Sequence, residues 1–385
     1  MKFNKMQEAL YILLQASLIT GVTVFAVMPF SCKVTTEGIQ IIGGDYSSPK
    51  LNEVTVLSDS SLSISFSEPV TLSELVVSTL IPGVSDSMIS SKTQKPSMAL
   101  QAAGGANGFI PAEVDYSEDK KTALIQLKEP TQIGRQYELY GVVKDKIGNS
   151  LTFCVPFKGY NSFVPKMIFT EAQIKYGKGT SSGNTVYRSE FVELLSLEDG
   201  NLAGLELVSA SDGETKKFQF PILQVKKGEL ILVHLRTAGE GCVNEDGDDL
   251  NLATAPHSKN GVRDLWSEST SSHFNDSSDV IVLRNSVDGS IVDALMYAAE
   301  DVSEWKKGVA DLAVLVGESG IYNSYDISNA CSSKGCTPLK SLTRLDVEEI
   351  LRLVNEEEYD YPFVNDDQNW GVRPVSPGVV ADVVE

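Results

Sequence analysis

The chain has 385 residues, room for two or three domains, and its 42% apolar content fits folded cores rather than wholesale disorder. Its 52 acidic residues outnumber 32 basic ones, giving a formal charge of −20. A surface of that sign repels phosphate backbones and no dense Lys/Arg run offsets it, so nucleic acid is not an expected partner.

The first 32 residues differ from the rest. Lys2 and Lys5 make a basic start, and residues 9–30 then carry no charge, a run long enough to span a bilayer. It ends in Pro29-Phe30-Ser31-Cys32. A basic start, an apolar run and a small residue before a cysteine resemble a bacterial lipobox, in which the cysteine becomes the lipidated first residue of the mature chain. Membrane attachment through Cys32 is therefore expected. An uncleaved signal anchor or an ordinary secretory signal are the alternatives, and all three export the body of the protein. Residues 33–48, rich in Gly, Ser and Thr, read as a tether.

From residue 49 the pattern turns to period two. "LSISFSEPV" alternates Leu62, Ile64 and Phe66 with serines, as a half-buried strand does. Residues 71–108, rich in Ser, Gly and Ala, read as irregular, with long loops. "AEVDYSEDKKTALIQL" then reads as strand, charged turn, strand, and "YELYGVVKDKIGNSLTFCVPF" as two strands about a tight turn at residues 145–149. Cys154, inside the apolar run 151–157, reads as a buried thiol. Strands joined by turns, with little helical period, indicate a sandwich. The Phe-Ser-Glu-Pro ending at Phe66 and the Tyr137-to-Asn149 run resemble bacterial Ig-like domains of surface proteins, over residues 49–158.

Residues 159–165 read as a linker within the Pro-flanked stretch 156–165. Beyond it, residues 189–209 read as strand, acidic turn (198–201) and strand, with Val192 and Leu194 on the core face and Phe191 and Glu193 on the other. Two strands about a Lys-Lys-Gly turn follow, and later a hairpin about Asp288-Gly289. Ile168 to Glu171, Phe191 to Leu194, Leu202-Ala203-Gly204, Lys227-Gly228, Asp279 to Leu283, Val292-Asp293 to Tyr297, Ser341 to Arg344, Trp370 and Ser376-Pro377-Gly378 fall in the order of a lamin tail domain. Residues 166–379 thus resemble that family, with insertions near 237–275 and 301–336 and a tail at 380–385. The resemblance implies an Ig-type sandwich in which Glu171 and Glu193 serve the fold. Between Arg344 and Trp370, Val347, Ile350, Leu351 and Val354 have helical spacing and predict a short helix on the sandwich edge. The fold expected is all-β, two Ig-like sandwiches in tandem behind the leader.

Chemistry is sparse. No nucleophile elbow, P-loop or dinucleotide fingerprint occurs. His234 sits in strand sequence, His257 and His273 in polar loops, and nothing local makes them converge. Glu171 and Glu193 are the carboxylates nearest to an acid–base pair. "NEDGDDLN" offers Asn244, Asp246, Asp248 and Asp249 as hard oxygen ligands for calcium, without the EF-hand's order, against the alternative of a solvated acidic loop. Cys331 and Cys336 bracket a short loop in an exported chain and are expected to form a disulfide, a zinc site lacking a second ligand pair. The expectation is a non-catalytic envelope protein with a binding or structural role, held to a membrane and facing a protein or envelope polymer, with no resident cofactor. The alternative is a component of an envelope hydrolase or nuclease, its site built in the insertions.

Overall fold

Leu62, Ile64 and Phe66 are all buried while the serines between them are half exposed, so the period-two signal translates directly into a strand with one wet face. The computed structural model describes residues 34–35, 38–39, 47–79, 109–181, 183–210, 217–237 and 239–380; Cys32 and the apolar leader lie outside them. The fold is all-β, with two helices of ten or more residues among the described residues.

A two-residue ladder, β1 (Val34–Thr35) with β2 (Gly38–Ile39), comes first. The first sandwich then runs β3 (Leu51–Ser58), β4 (Ser61–Phe66), β5 (Thr71–Thr79), β6 (Phe109–Ile110), β7 (Ala112–Tyr116), β8 (Thr122–Leu127), β9 (Gln136–Lys144) and β10 (Ser150–Lys158). Its sheets have the orders β3-β4-β8-β7 and β10-β9-β5-β6. Their inward residues, among them Ile64, Ile125, Leu139 and Phe153, form one core. The β9–β10 turn is set by one side chain: Asp145 Oδ1 accepts the N–H of Ile147, Gly148 and Asn149 at 2.8, 2.6 and 2.9 Å. Two expectations are corrected here. Residues 71–79 are a full strand rather than irregular, because Val77 sits in the core with Leu72 and Leu75 packed against it. Cys154 is exposed, since the alternation that turns Phe153 and Phe157 inward turns it out.

The second sandwich holds, in order, β11 (Met167–Gln173), β12 (Gly177–Ser181), β13 (Asn184–Arg188), β14 (Phe191–Ser196), β15 (Gly200–Asn201), β16 (Leu205–Ser209), β17 (Lys217–Gln219), β18 (Gln224–Val225), β19 (Leu230–His234), β20 (Arg263–Trp266), β21 (Ser278–Asn285), β22 (Ile291–Ala298), α1 (Lys307–Glu318), β23 (Cys331–Ser332), β24 (Lys340–Arg344), α2 (Val347–Glu356) and β25 (Trp370–Pro374). A six-stranded sheet, β20-β19-β14-β11-β24-β25, faces a five-stranded one, β17-β16-β21-β22-β23. Val192 and Leu194 point into the shared core as expected, beside Phe169, Ile231, Leu283 and Trp370.

Residues 189–209 are not a hairpin. β14 pairs with β11 and β19, whereas β16 pairs with β17 and β21 in the opposite sheet. The acidic turn carries the chain across the sandwich through β15, which pairs with β18. The two segments expected as insertions also belong to the fold. Residues 263–266 form β20, parallel to β19, and residues 307–318 form α1.

α1 lays Val309, Leu312, Ala313 and Val316 on Val280, Val282 and Met296, covering the outer face of the five-stranded sheet. α2 has the expected spacing, with Glu348 and Glu349 in its first turn, where the helix dipole favours them. It packs Val347, Ile350 and Val354 on Ile168, Leu195 and Leu197, on a sheet face rather than an edge.

Candidate functional site

The outer face of the six-stranded sheet collects buried polar groups. Glu171 on β11 and Glu193 on β14 are register partners, and both are buried. Each carboxylate is held by the chain's own donors. The Ser341 hydroxyl and the Ser376 N–H donate to Glu171 Oε1 at 2.5 and 3.1 Å. The Thr170 hydroxyl donates to Glu193 Oε1 at 2.6 Å and the Gly378 N–H to Glu193 Oε2 at 2.5 Å. Burial pushes the Glu193 pKa up to about 8 against those two donors, and the Glu171 charge adds to the rise. Burial raises Glu171 as well. Chemically the pair is a clamp: it fastens the segment around residues 376–378 over the sheet.

Two of the three histidines, His234 and His257, come together on either side of the Phe191 ring. His234 on β19 and Trp266 on β20 are register partners, and their rings stack with centroids 3.8 Å apart and 6° between planes. His234 Nε2 lies 2.5 Å from Asp264 Oδ1, which makes Nε2 the protonated nitrogen. The Phe191 ring lies 5.7 Å from His234 and 5.4 Å from His257. Burial lowers the pKa of both histidines, that of His257 to about 4; for His234 it outweighs the pull of Asp264 toward the charged form. The parallel β19–β20 pairing creates this group, and no local motif announces a parallel partner thirty residues away. His273 is also buried, and its carbonyl accepts the Ser209 hydroxyl at 3.0 Å.

The acidic loop works through Glu245, the residue the calcium reading passes over. Glu245 is buried; its Oε1 accepts the N–H of Leu252 and Ala253 at 2.9 and 3.0 Å, and its Oε2 accepts that of Asp264 at 2.9 Å. Arg263 adds bonds to Glu245 O, Gly247 O and Glu229 Oε1. The expected ligands are not gathered. Asn244 Oδ1 accepts the Trp266 N–H at 2.5 Å, Asp249 Oδ1 accepts that of Asn251 at 3.1 Å, and Asp246 and Asp248 point to solvent. Among the described residues no group of three or more His, Cys, Asp or Glu is placed to hold a metal ion. The loop's outward residues instead wall a cleft of about 670 Å³ between the edge strands β17 and β20, with Phe218, Gln219, Asn244, Asp246, Trp266 and Glu268 in its lining.

Cys331 and Cys336 are free thiols, not the expected disulfide. β23 pairs parallel to β22 and buries Cys331, whose Sγ lies 3.8 Å from the Tyr322 hydroxyl and 3.7 Å from Asp366 O. Burial pushes the two thiols up to about 12 and about 11. No helix among the described residues is long and apolar enough to cross a membrane.

Solved structures that the chain matches weakly include the N-terminal part of the bacterial S-layer protein SbsC, 15% identical over 39% of this chain and 41% of that one, with a TM-score of 0.23. A DUF4876 family protein from Bacteroides thetaiotaomicron VPI-5482 is 10% identical over 71% of this chain and 82% of that one, with a TM-score of 0.28. Likeness at that level bears on neither function nor location, and the lamin tail resemblance rests on its motifs alone. A Treponema pallidum (strain Nichols) protein, named "Uncharacterized protein", is 26% identical over 225 residues, 58% of this chain. Those residues make up 54% of the relative, so the chain spans about half the length of the curated protein it matches. A family model described as TP_1001_2nd, protein second domain, matches residues 165–372, more than half of the chain and the strands from β11 into β25, and the chain belongs to that family.

Proposed function

We propose that this is an exported envelope protein, lipid-anchored at Cys32, whose two sandwiches serve a binding or structural role without catalysis. One observation carries the reading: the groups best suited to acid–base work are committed inside the fold. Glu171, Glu193, His234 and Asp264 are each at most 1% exposed, and every one is hydrogen-bonded to the chain itself. A catalytic acid or base has to reach a substrate proton, and these do not. The linker is fastened to the second sandwich: Asn161 Nδ2 donates to Asn201 O and Ala203 O at 2.7 and 2.8 Å, and the Asn201 N–H donates to Phe163 O at 2.7 Å. The charge of −20 opposes a nucleic-acid role. The lamin-tail-like motif order of the second sandwich is, in this reading, a fold signature and not a functional one.

Fractionation and mass analysis of the Cys32→Ala chain test the anchor. The wild type is expected in the detergent phase with a lipid-shifted mass, and the variant uncleaved or soluble. Unchanged partitioning and processing in the variant would refute lipidation.

The hydrolase alternative has one observation in its favour, the pairing of His234 with Asp264 and the nearness of His257 across the Phe191 ring. Release of fragments from envelope material by the wild type, lost in a folded His257→Gln variant, would establish it. No release by the wild type would reject it.

A further inference from the structure

We propose that Glu171 and Glu193 form a proton-held latch: while the pair keeps a proton, the strap of residues 376–380 stays closed over the six-stranded sheet, and when the pair loses it the strap opens. The latch depends on neither the anchor nor a binding role.

The two carboxylates sit on adjacent strands as register partners, 1% and 0% exposed. Directly opposed residues of antiparallel strands have Cα atoms only about 4.5–5.5 Å apart. Every partner of the two side chains is neutral: the Thr170, Ser341 and Ser376 hydroxyls and the Ser376 and Gly378 N–H groups. Neither carboxylate enters an ion pair among the described residues. The charged groups on the elements around them do not offset the pair. Lys259 and Arg373 are exposed, and Asp264 is taken by His234 and by the Lys259 N–H at 3.2 Å. Leu232, the register partner of Glu193 on β19, and residues 376–380 carry no charge. Two carboxylates in one dry site cannot both ionise without a cation, so the pair retains a proton. The rise of both carboxylates on burial agrees with this.

The strap is the part that can yield. β25 ends at Pro374, and Val375 still donates its N–H to Leu339 O at 3.1 Å. Past Val375, every hydrogen bond from the strap to the rest of the chain, among the described residues, ends on this pair. Its apolar hold is light. Gly378 lies against the 259–262 turn, where a Cβ would come 2.6 Å from Val262 Cγ2, and Val380 only touches the cluster under α2. No residue from 376 to 380 is fully buried. Ionising the second carboxylate puts two like charges in a site without water, and lifting the strap lets water in at the loss of few contacts. The sign follows: a carboxyl that is harder to ionise under the closed strap than in water favours closure at low pH and opening as pH rises. The two groups titrate as one pair.

Amide hydrogen exchange of the full chain between pH 6.5 and 8.5, corrected for the intrinsic rate, tests this. Protection of the Ser376 and Gly378 amides should fall by about tenfold or more over that range, while β14 and β16 amides stay protected. Glu193→Gln keeps an acceptor for the Gly378 N–H and removes the charge, and should leave strap protection independent of pH. Where that variant does not fold, Glu171→Gln reads the same pair with the same expected result. Strap protection that is flat with pH in the wild type would overturn the latch. So would a fall shared equally by β14, or a fall that persists in the folded Gln variant.

Discussion

In β4 of the first sandwich, buried Leu62, Ile64 and Phe66 alternate with half-exposed serines, whereas every residue of β11 and β14 in the second is buried. The hydrophobic cores are built alike, from inward residues of two sheets. What differs is the second face of each sheet. The outer side of β4 stays half exposed, and serines suffice there. The second sandwich wraps its outer faces with α1, α2, the residue 237–275 segment and the strap around residue 378. Polar residues on those faces lose water and need partners, and the wrapping segments supply them. The comparison teaches that the insertions are layers of the fold: they turn a two-layer sandwich into a thicker body with buried charge.

The largest effect should come from that charge. Arg344 is fully buried, bonded to Asp346 Oδ1 at 2.8 Å and lying 3.5 Å from Asp293 Oδ2. Arg344→Ala leaves Asp293 buried without its cation and should cost about 3–5 kcal/mol, measured by denaturant melts. A loss below about 1 kcal/mol would show that water reaches this face, as it does in the first sandwich.

Leu194→Ala empties a fully buried core site and should cost about 2–5 kcal/mol. Ile64→Ala is its counterpart in the first sandwich and should cost a similar amount. Hydrogen exchange assigns each loss to its own sandwich, and a Leu194→Ala chain that melts like the parent would contradict the register of β14.

A smaller effect separates the two by pH. The Glu193 pKa is about 8 in the folded chain, above the ordinary carboxylate value, so the folded state holds the proton more tightly. Its stability contribution is full below the unfolded pKa of about 4.3 and is lost as pH rises toward 8. Asp293, raised by burial to about 6, acts with the same sign up to that pH. His257, lowered to about 4, acts oppositely, losing stability as pH falls from about 6.5. Between pH 6.5 and 8 the Glu193 slope should therefore stand alone among these three, and Glu193→Gln should flatten it. In the first sandwich, desolvation opposes the Asp145 carboxylate, but Asn149 and three backbone N–H groups win and lower its pKa, so its contribution fades only in acid. A slope above pH 6.5 carried by β4 amides rather than β14 amides would reverse the comparison.

The smallest effect belongs to the wet face. Ser63→Ala and Ser65→Ala should each change stability by no more than about 0.5 kcal/mol, checked by the same melts. A larger loss would mean that this face, too, is covered.

The sequence by itself determined what depends on neighbours in the chain. β4 was legible because Leu62, Ile64 and Phe66 repeat every second residue, and the β9–β10 turn because Asp145 bonds to residues two to four positions on. The same holds for the β21–β22 hairpin about Gly289 and for the spacing of α2. The core face of β14 followed from Val192 and Leu194. Only the tertiary structure decided which sheet each strand joins, because β14 and β16 look alike locally and part company through partners far along the chain. It placed Asp264 and Trp266 beside His234 by a parallel pairing, and it made Glu245 rather than its acidic neighbours the anchor of the loop. It also left Cys331 as a buried thiol at a β22–β23 contact. Each of these turns on burial and pairing between distant segments, and neither quantity exists until the segments have met.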